Sequence, residues 1–161
     1  MLDKDAKISG GYILVALELA ETAATRGEVP VGAVVVDGAS GEVLARAHNR
    51  IEELGDPTAH AEILALREAA QVKQTPRLVD CDLYVTLEPC TMCAGAISLA
   101  RIRRLYFGAA DHKGGGIEHG ARVFGQSTCH HAPEVYGGID AQRSEELLRQ
   151  FFSKLRRTAE D

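Results

Sequence analysis

Apolar residues recur at helical spacing over residues 12–24, where Tyr12, Ala16, Leu19 and Ala23 share one face and Glu18 and Glu21 lie on others. Gly27 marks the end of that helix. The next run, Val31-Gly32-Ala33-Val34-Val35-Val36, is nearly continuous and β-branched, as expected of a strand covered on both faces. A turn-rich Asp37-Gly38-Ala39-Ser40-Gly41 separates it from a second strand over 42–48, and the pair reads as a hairpin. Asp56-Pro57-Thr58 supplies capping and breaking residues before a helix over 59–72, whose Ile63, Leu64, Leu66, Ala69 and Ala70 suit packing on a sheet. Residues 83–87 read as a strand, 91–100 as a helix and 102–108 as a strand. That order predicts a right-handed parallel crossover. Residues 111–138 are glycine-rich and lack periodicity, which predicts a flexible or tightly turned loop, with a short final strand over 133–135. Gly114-Gly115-Gly116 lacks the Lys-Ser/Thr ending of a phosphate loop. Leu147, Leu148, Phe151, Phe152 and Leu155 then mark an amphipathic helix over 141–157, suited to core packing or to closing over a pocket. With no internal repeat or linker, one domain over 1–161 is expected.

Composition narrows the class. Apolar residues at 45% and charged residues at 25% fit a soluble globular protein, and no segment is long and apolar enough to span a bilayer. The start Met1-Leu2-Asp3-Lys4-Asp5 is polar, so no secretory leader is read there. Four cysteines in such a chain fit a reducing, cytoplasmic setting in which thiols are free for metal. A net charge of −5 argues against broad, sequence-blind nucleic-acid binding. A local basic patch remains compatible with it: Arg101, Arg103 and Arg104 form one cluster, and Lys154, Arg156 and Arg157 another, each equally readable as solvated surface. Cys81 and Cys129 read as buried or incidental thiols, with Cys129-His130-His131 as a minor candidate for a second metal site.

Two short segments carry the chemistry: Thr58-Ala59-His60-Ala61-Glu62 and Leu87-Glu88-Pro89-Cys90-Thr91-Met92-Cys93. On a helix, residues three apart share a face, so Cys90 and Cys93 can close on one ion, with Pro89 at the first helical position. A helix N-terminus favours the thiolate that a soft cation requires. His60 supplies a third ligand. Three ligands leave a position for water, the arrangement of a catalytic zinc site rather than a closed structural one. Glu62, two residues beyond His60, is placed to act as a base on that water. His-x-Glu followed by Pro-Cys-x-x-Cys is the known signature of zinc nucleobase deaminases. A thioredoxin-type Cys90/Cys93 redox pair and a purely structural zinc are the rival readings. Asn49, at the end of the second strand, could read a base edge with its donor and acceptor, or simply form a turn.

The chain resembles the bacterial tRNA-specific adenosine deaminases, within the cytidine deaminase-like fold. The likeness runs from Gly27-Glu28-Val29-Pro30-Val31-Gly32-Ala33 through both metal segments to Gly108-Ala109-Ala110-Asp111-His112-Lys113 and Leu147-Leu148-Arg149-Gln150-Phe151-Phe152. It implies a three-layer α/β/α fold around a mixed five-stranded sheet, usually a homodimer. The implied reaction is conversion of adenosine to inosine at the wobble position of a tRNA anticodon stem-loop. By resemblance, His60, Cys90 and Cys93 match the ligands of one Zn²⁺ per subunit, Glu62 the proton shuttle, and Asn49 the amide that holds the base. Val31, Ala61, Leu87, Asp111 and Phe151 match pocket or RNA-contact positions. The chain departs from the family pattern after Lys113, where Gly114-Gly115-Gly116-Ile117-Glu118-His119 stands in place of Gly-Ala-x-Gly-Ser, and at His130, where Asn is usual. A deaminase of a free base or nucleoside, a Cys90/Cys93 dithiol oxidoreductase and a zinc-folded binding module remain the alternatives.

Overall fold

The structure, a computed structural model, describes residues 4–160, with side chains from residue 11 onward. Helix α1 (Lys4–Thr25) buries Ile13, Ala16, Leu17, Ala20 and Ala23, one stripe at helical spacing. It starts well before the apolar periodicity does, because extending a nucleated helix costs far less than starting one. Gly27 ends the turn at φ +76°, and the Glu28 N–H reaches back 3.0 Å to the Ala23 carbonyl.

Strands β1 (Gly32–Asp37) and β2 (Val43–His48) form the expected antiparallel hairpin. Strand β1 is buried from Gly32 through Val36, as its unbroken apolar run requires. At Gly32 the backbone of α1 comes so close that an added Cβ would strike the Ala16 carbonyl oxygen, so only glycine fits. After β2 comes a short helix α2 (Ile51–Leu54), unanticipated because a single turn has no periodicity to read. Helix α3 (Ala61–Lys73), strand β3 (Cys81–Leu87), helix α4 (Thr91–Leu99) and strand β4 (Arg104–Ala109) follow, and β3 and β4 run parallel. A 3₁₀ turn (Val123–Gly125) interrupts the long connection to β5 (Glu134–Tyr136), which pairs parallel with β4. Helix α5 (Ala141–Glu160) closes the order.

The sheet order is β2-β1-β3-β4-β5, mixed in direction, as the fold expectation had it. Its two faces are covered separately. Ala33, Val35, Leu83, Val85, Leu105 and Phe107 pack with Ala65, Leu66 and Ala69 of α3 and Ala94 and Ile97 of α4. On the other face Val34, Val36 and Tyr84 meet Ile13 and Ala16 of α1. All four tyrosines line up along this second face: Tyr12, Tyr84, Tyr106 and Tyr136 have successive ring centroids 5.2, 4.5 and 5.0 Å apart, the first pair tilted and the other two stacked. Helix α5 packs less completely than its pattern suggests. Only Ser144 is buried, Leu147, Leu148 and Phe151 are half-covered, and Phe152 and Leu155 are exposed. Among the described residues no helix is long and apolar enough to cross a membrane.

Candidate metal centre and the cavity beside it

Both chemical segments start helices at the same end of the sheet. His60 is the residue immediately before α3, in extended conformation, and Cys90 occupies the same place before α4. Pro89 therefore lies outside the helix, two residues before the first helical position that the proline preference suggested, and Cys93 sits in the first turn. The Asp56-Pro57-Thr58 segment also differs from expectation. Asp56 binds back on Thr58 in a local turn (2.8 Å to its N–H), while the start of α3 is met by Asn49, whose Oδ1 accepts from the Ala61 N–H at 2.8 Å. Asn49 is buried, at 6% exposure, because that bond ties the end of β2 to the start of α3.

His60 Nδ1 lies 3.7 Å from Cys90 Sγ and 3.5 Å from Cys93 Sγ, and the three ligand atoms all fall within 4.8 Å of one another. Ordinary zinc bond lengths at tetrahedral angles separate a nitrogen from a sulfur ligand by about 3.6 Å. The donor set therefore fits Zn²⁺ in identity and spacing. Among the described residues it is the one group of three such side chains that converges. Cys129, His130 and His131 form no such group: His131 Nε2 donates to the Ile102 carbonyl (2.7 Å), and Cys129 Sγ to the carbonyl of His131 (3.2 Å).

The electrostatics suit a cation. Hydrogen bonding to Cys93, then to His60, lowers the Cys90 thiol to about 4. Cys93 shifts up, first through its bond to Cys90 and then through burial. The bond to Cys90 raises His60. Glu62, only 4% exposed, has its carboxyl pushed up by burial. A thiol–disulfide pair would leave the imidazole set between both sulfurs and the buried carboxylate without a role.

A cavity of about 260 Å³ opens beside these groups, lined by Val29, Val31, Asn49, Ile51, His60, Glu62, Leu87, Glu88, Cys90, Asp111 and Gly114. Its size suits one planar base rather than a whole nucleotide, being below the roughly 300–1,000 Å³ of drug-sized sites. Of the residues singled out in the sequence, Val31, Asn49, Leu87 and Asp111 line it. Ala61 is fully buried behind Asn49, and Phe151 lies on α5 against Phe152, 5.3 Å between ring centroids. The Arg101, Arg103 and Arg104 cluster lies elsewhere. Arg103 grips Asp82 through two bonds (2.9 and 2.8 Å) and Arg104 reaches Glu134 (3.0 Å), at the opposite end of β3 and β4 from Leu87 and Ala109.

Glu88 is a cavity-lining residue to which the sequence assigned no role. Its buried carboxylate accepts from the backbone N–H groups of Asp111 (3.1 Å), Ile117 (3.2 Å), Glu118 (3.0 Å) and His119 (3.2 Å). It also pairs with His119 Nδ1 at 2.7 Å. Burial alone would raise its pKa, but His119 and the N–H groups of Asp111, Glu118 and Ile117 together hold it below the usual glutamate value. The glycine-rich stretch is thereby a tight cradle. The Gly116 N–H donates to the Pro89 carbonyl (2.8 Å), and a Cβ there would lie 2.6 Å from the Thr91 nitrogen. The available signal was a charged residue between an apolar strand and the ligand pair, followed by consecutive glycines.

An open mixed sheet that brings one imidazole, two sulfurs and a buried carboxylate together at its helix starts defines a zinc-binding deaminase domain. Residues 9–109 match the family model of the cytidine and deoxycytidylate deaminase zinc-binding region. A tRNA-specific adenosine deaminase of Agrobacterium fabrum is 57% identical over 145 residues, covering 90% of this chain and 94% of the relative. The chain belongs to the tRNA-specific adenosine deaminase family. A solved structure from work on A-to-I editing by tRNA:A34 deaminases at the wobble position of transfer RNA superposes with a TM-score of 0.83 at 56% identity, covering 86% of this chain and 99% of that one. A guanine deaminase from Nitrosomonas europaea superposes with a TM-score of 0.77 at 25% identity, covering 88% and 83%.

Proposed function

We propose that this chain is a hydrolase that deaminates adenosine to inosine at the wobble position of a tRNA anticodon. The observation that carries the reading is the convergence of His60, Cys90 and Cys93 beside Glu62 at the wall of a single-base cavity. The 57% identity to a tRNA-specific adenosine deaminase supports the choice of substrate.

His60, Cys90 and Cys93 would hold one zinc ion per chain. When bound, zinc supplies Lewis-acid activation of water. Glu62 would take a proton from the attacking water and pass it to the purine ring nitrogen, then relay the proton of the hydroxyl added at C6 to the departing amine, so that water and adenosine become inosine and ammonia. Burial that raises its pKa suits a group that must both accept and donate near neutrality. Asn49 has its Oδ1 committed to α3, which leaves the Nδ2 donor for the base. Val29, Val31, Ile51 and Leu87 supply apolar walls, and Asp111 adds a polar group to the lining. Ala61 acts through its backbone bond to Asn49, and Phe151 on α5 contacts RNA outside the base pocket. Bases in an anticodon loop are already partly unstacked, so moving one into the cavity costs little. The chain works as a single deaminase domain over 1–161, as a homodimer, in the cytoplasm where mature tRNA is found.

Likeness to the Nitrosomonas europaea guanine deaminase favours a second reading, deamination of a free base. Purified protein with its zinc quantified, given an anticodon stem-loop, free adenine, adenosine and guanine in parallel, separates the two. Inosine in the stem-loop is expected. Turnover of a free base alone would transfer the site to the second reading, and turnover of none would remove both.

A further inference from the structure

A second concavity lies outside the base cavity, along the free edge of the sheet. Among the described residues strand β2 pairs only with β1, and a groove of about 420 Å³ runs beside it between the two helical layers. Arg26 beyond α1, Arg46 and His48 of β2, Arg50 after it, and Arg67 of α3 line this groove, over a floor that includes Leu19, Ala47 and Leu64. Arg46 and His48 alternate along β2 and so share the face that Val34 turns toward α1, while Arg67 comes from the opposite layer.

Four guanidiniums thus converge from four parts of a chain whose net charge is −5. Four carboxylates answer them, two at longer range: Asp56 toward Arg67 and Glu28 toward Arg50. Glu53 takes Arg50 in a two-bond fork (2.8 and 3.1 Å) and lies 3.9 Å from Arg26, and Glu68 stands on the groove wall. Arg46 and Arg67 form no ion pair among the described residues. Like charges gathered in one concavity repel unless an anion enters, and planar guanidiniums suit phosphate oxygens.

The groove is also continuous with the site. His48 and Arg50 line the groove, whereas Asn49 and Ile51, between and after them, line the base cavity. A nucleotide seated on Asn49 would therefore extend its flanking backbone toward the arginines across the same short segment. We infer that the β2-edge groove is a phosphate-backbone site for the RNA strand flanking the target base, with Arg46 and Arg67 as its principal contacts. This rests on the RNA reading above and supplies what a one-base cavity lacks, a hold on RNA beyond the edited nucleotide.

The test is the double variant Arg46→Gln/Arg67→Gln, neither residue lying in the base cavity or touching the metal ligands. On an anticodon stem-loop at about 0.15 M salt we expect KM to rise about tenfold with kcat within twofold. The slope of log affinity against log salt should shrink by about 1.5, the loss of two phosphate contacts. Unchanged KM and slope would overturn the proposal. So would an equal effect from Arg77→Gln/Arg104→Gln, which removes the same charge far from the groove. Affinity is also measured by anisotropy on a Glu62→Gln background, which requires no turnover. A parent that binds the stem-loop with the full salt slope but makes no inosine would sink the substrate reading and leave the groove standing. A parent that makes inosine while the double variant keeps its affinity would do the reverse. If instead the double variant halves the solution mass and leaves RNA affinity intact, the groove is a contact between copies and the inference fails.

Discussion

Glu88 and Glu62 are two buried carboxylates on one cavity wall with opposite tasks, and their partners set them apart. Burial dominates at Glu62 and lifts its pKa, whereas five hydrogen bonds on Glu88 outweigh burial and depress it. Glu62→Gln keeps the shape and removes the proposed proton carrier. Metal analysis should find zinc retained while single-turnover inosine formation falls by about 10²-fold or more. Glu88→Gln should lower stability by about 2–3 kcal/mol at neutral pH, since charge-assisted bonds are lost at a buried site. Its sign with pH follows from the depressed value. The Glu88 carboxylate contributes fully above the ordinary glutamate pKa of 4.5, and that contribution fades as pH falls through the lower folded value. Denaturation of parent and variant across that range should show their stabilities converging on the acid side.

At the scale of elements, the metal ligands are joints between secondary structures. His60 starts α3 and Cys90 starts α4, so an ion held by both ties two helices that otherwise meet through their sheet-facing side chains. Removing zinc with a chelator should lower the melting temperature by several degrees or more, and added Zn²⁺ should restore it; thermal scans with and without metal check this. Helix α5 offers a change in the other direction. Ser144 is 2% exposed, and among the described residues its Oγ has no hydrogen-bond partner where the helix crosses Gly108 of β4. An orphaned buried hydroxyl is destabilising, so Ser144→Ala should raise unfolding stability by about 1 kcal/mol in a denaturant titration. The amphipathic pattern over 141–157 showed that a helix forms there. It did not show that Phe152 and Leu155 would remain exposed, because a helix's apolar face is written in its own residues and the surface available to cover it is not.

For the whole molecule, sheet order and chemistry reinforce each other. Parallel β3 and β4 end together at Leu87 and Ala109, which sets the Cys90 helix and the Asp111 loop on one rim. The antiparallel β1–β2 hairpin brings Val31 and Asn49 to the same rim. With His60 and Glu62 at the start of α3, the site is assembled from five separate stretches of the chain. The exposed Leu99 and Met92 of α4, next to the metal segment, give the proposed homodimer an apolar contact. Sedimentation should return twice the mass of the chain, and Leu99→Glu should shift that mass toward the monomer.

That His60, Cys90 and Cys93 come together with Glu62 beside them was legible from the order of residues, because the grouping depends on residue type and short spacing, and helix starts are encoded within a few positions. The strands and the alternate coverage of the sheet were legible for the same reason, since apolar periodicity is local. What tertiary structure alone decided was long-range. Asn49 meets the first turn of α3, Glu88 gathers a loop that ends at His119, and Arg46 faces a groove shared with Arg67. None of these pairings has a sequence period. Each is a hydrogen bond or charge contact made only after the sheet has closed the chain on itself, when buried polar groups must find partners or lose their solvation uncompensated.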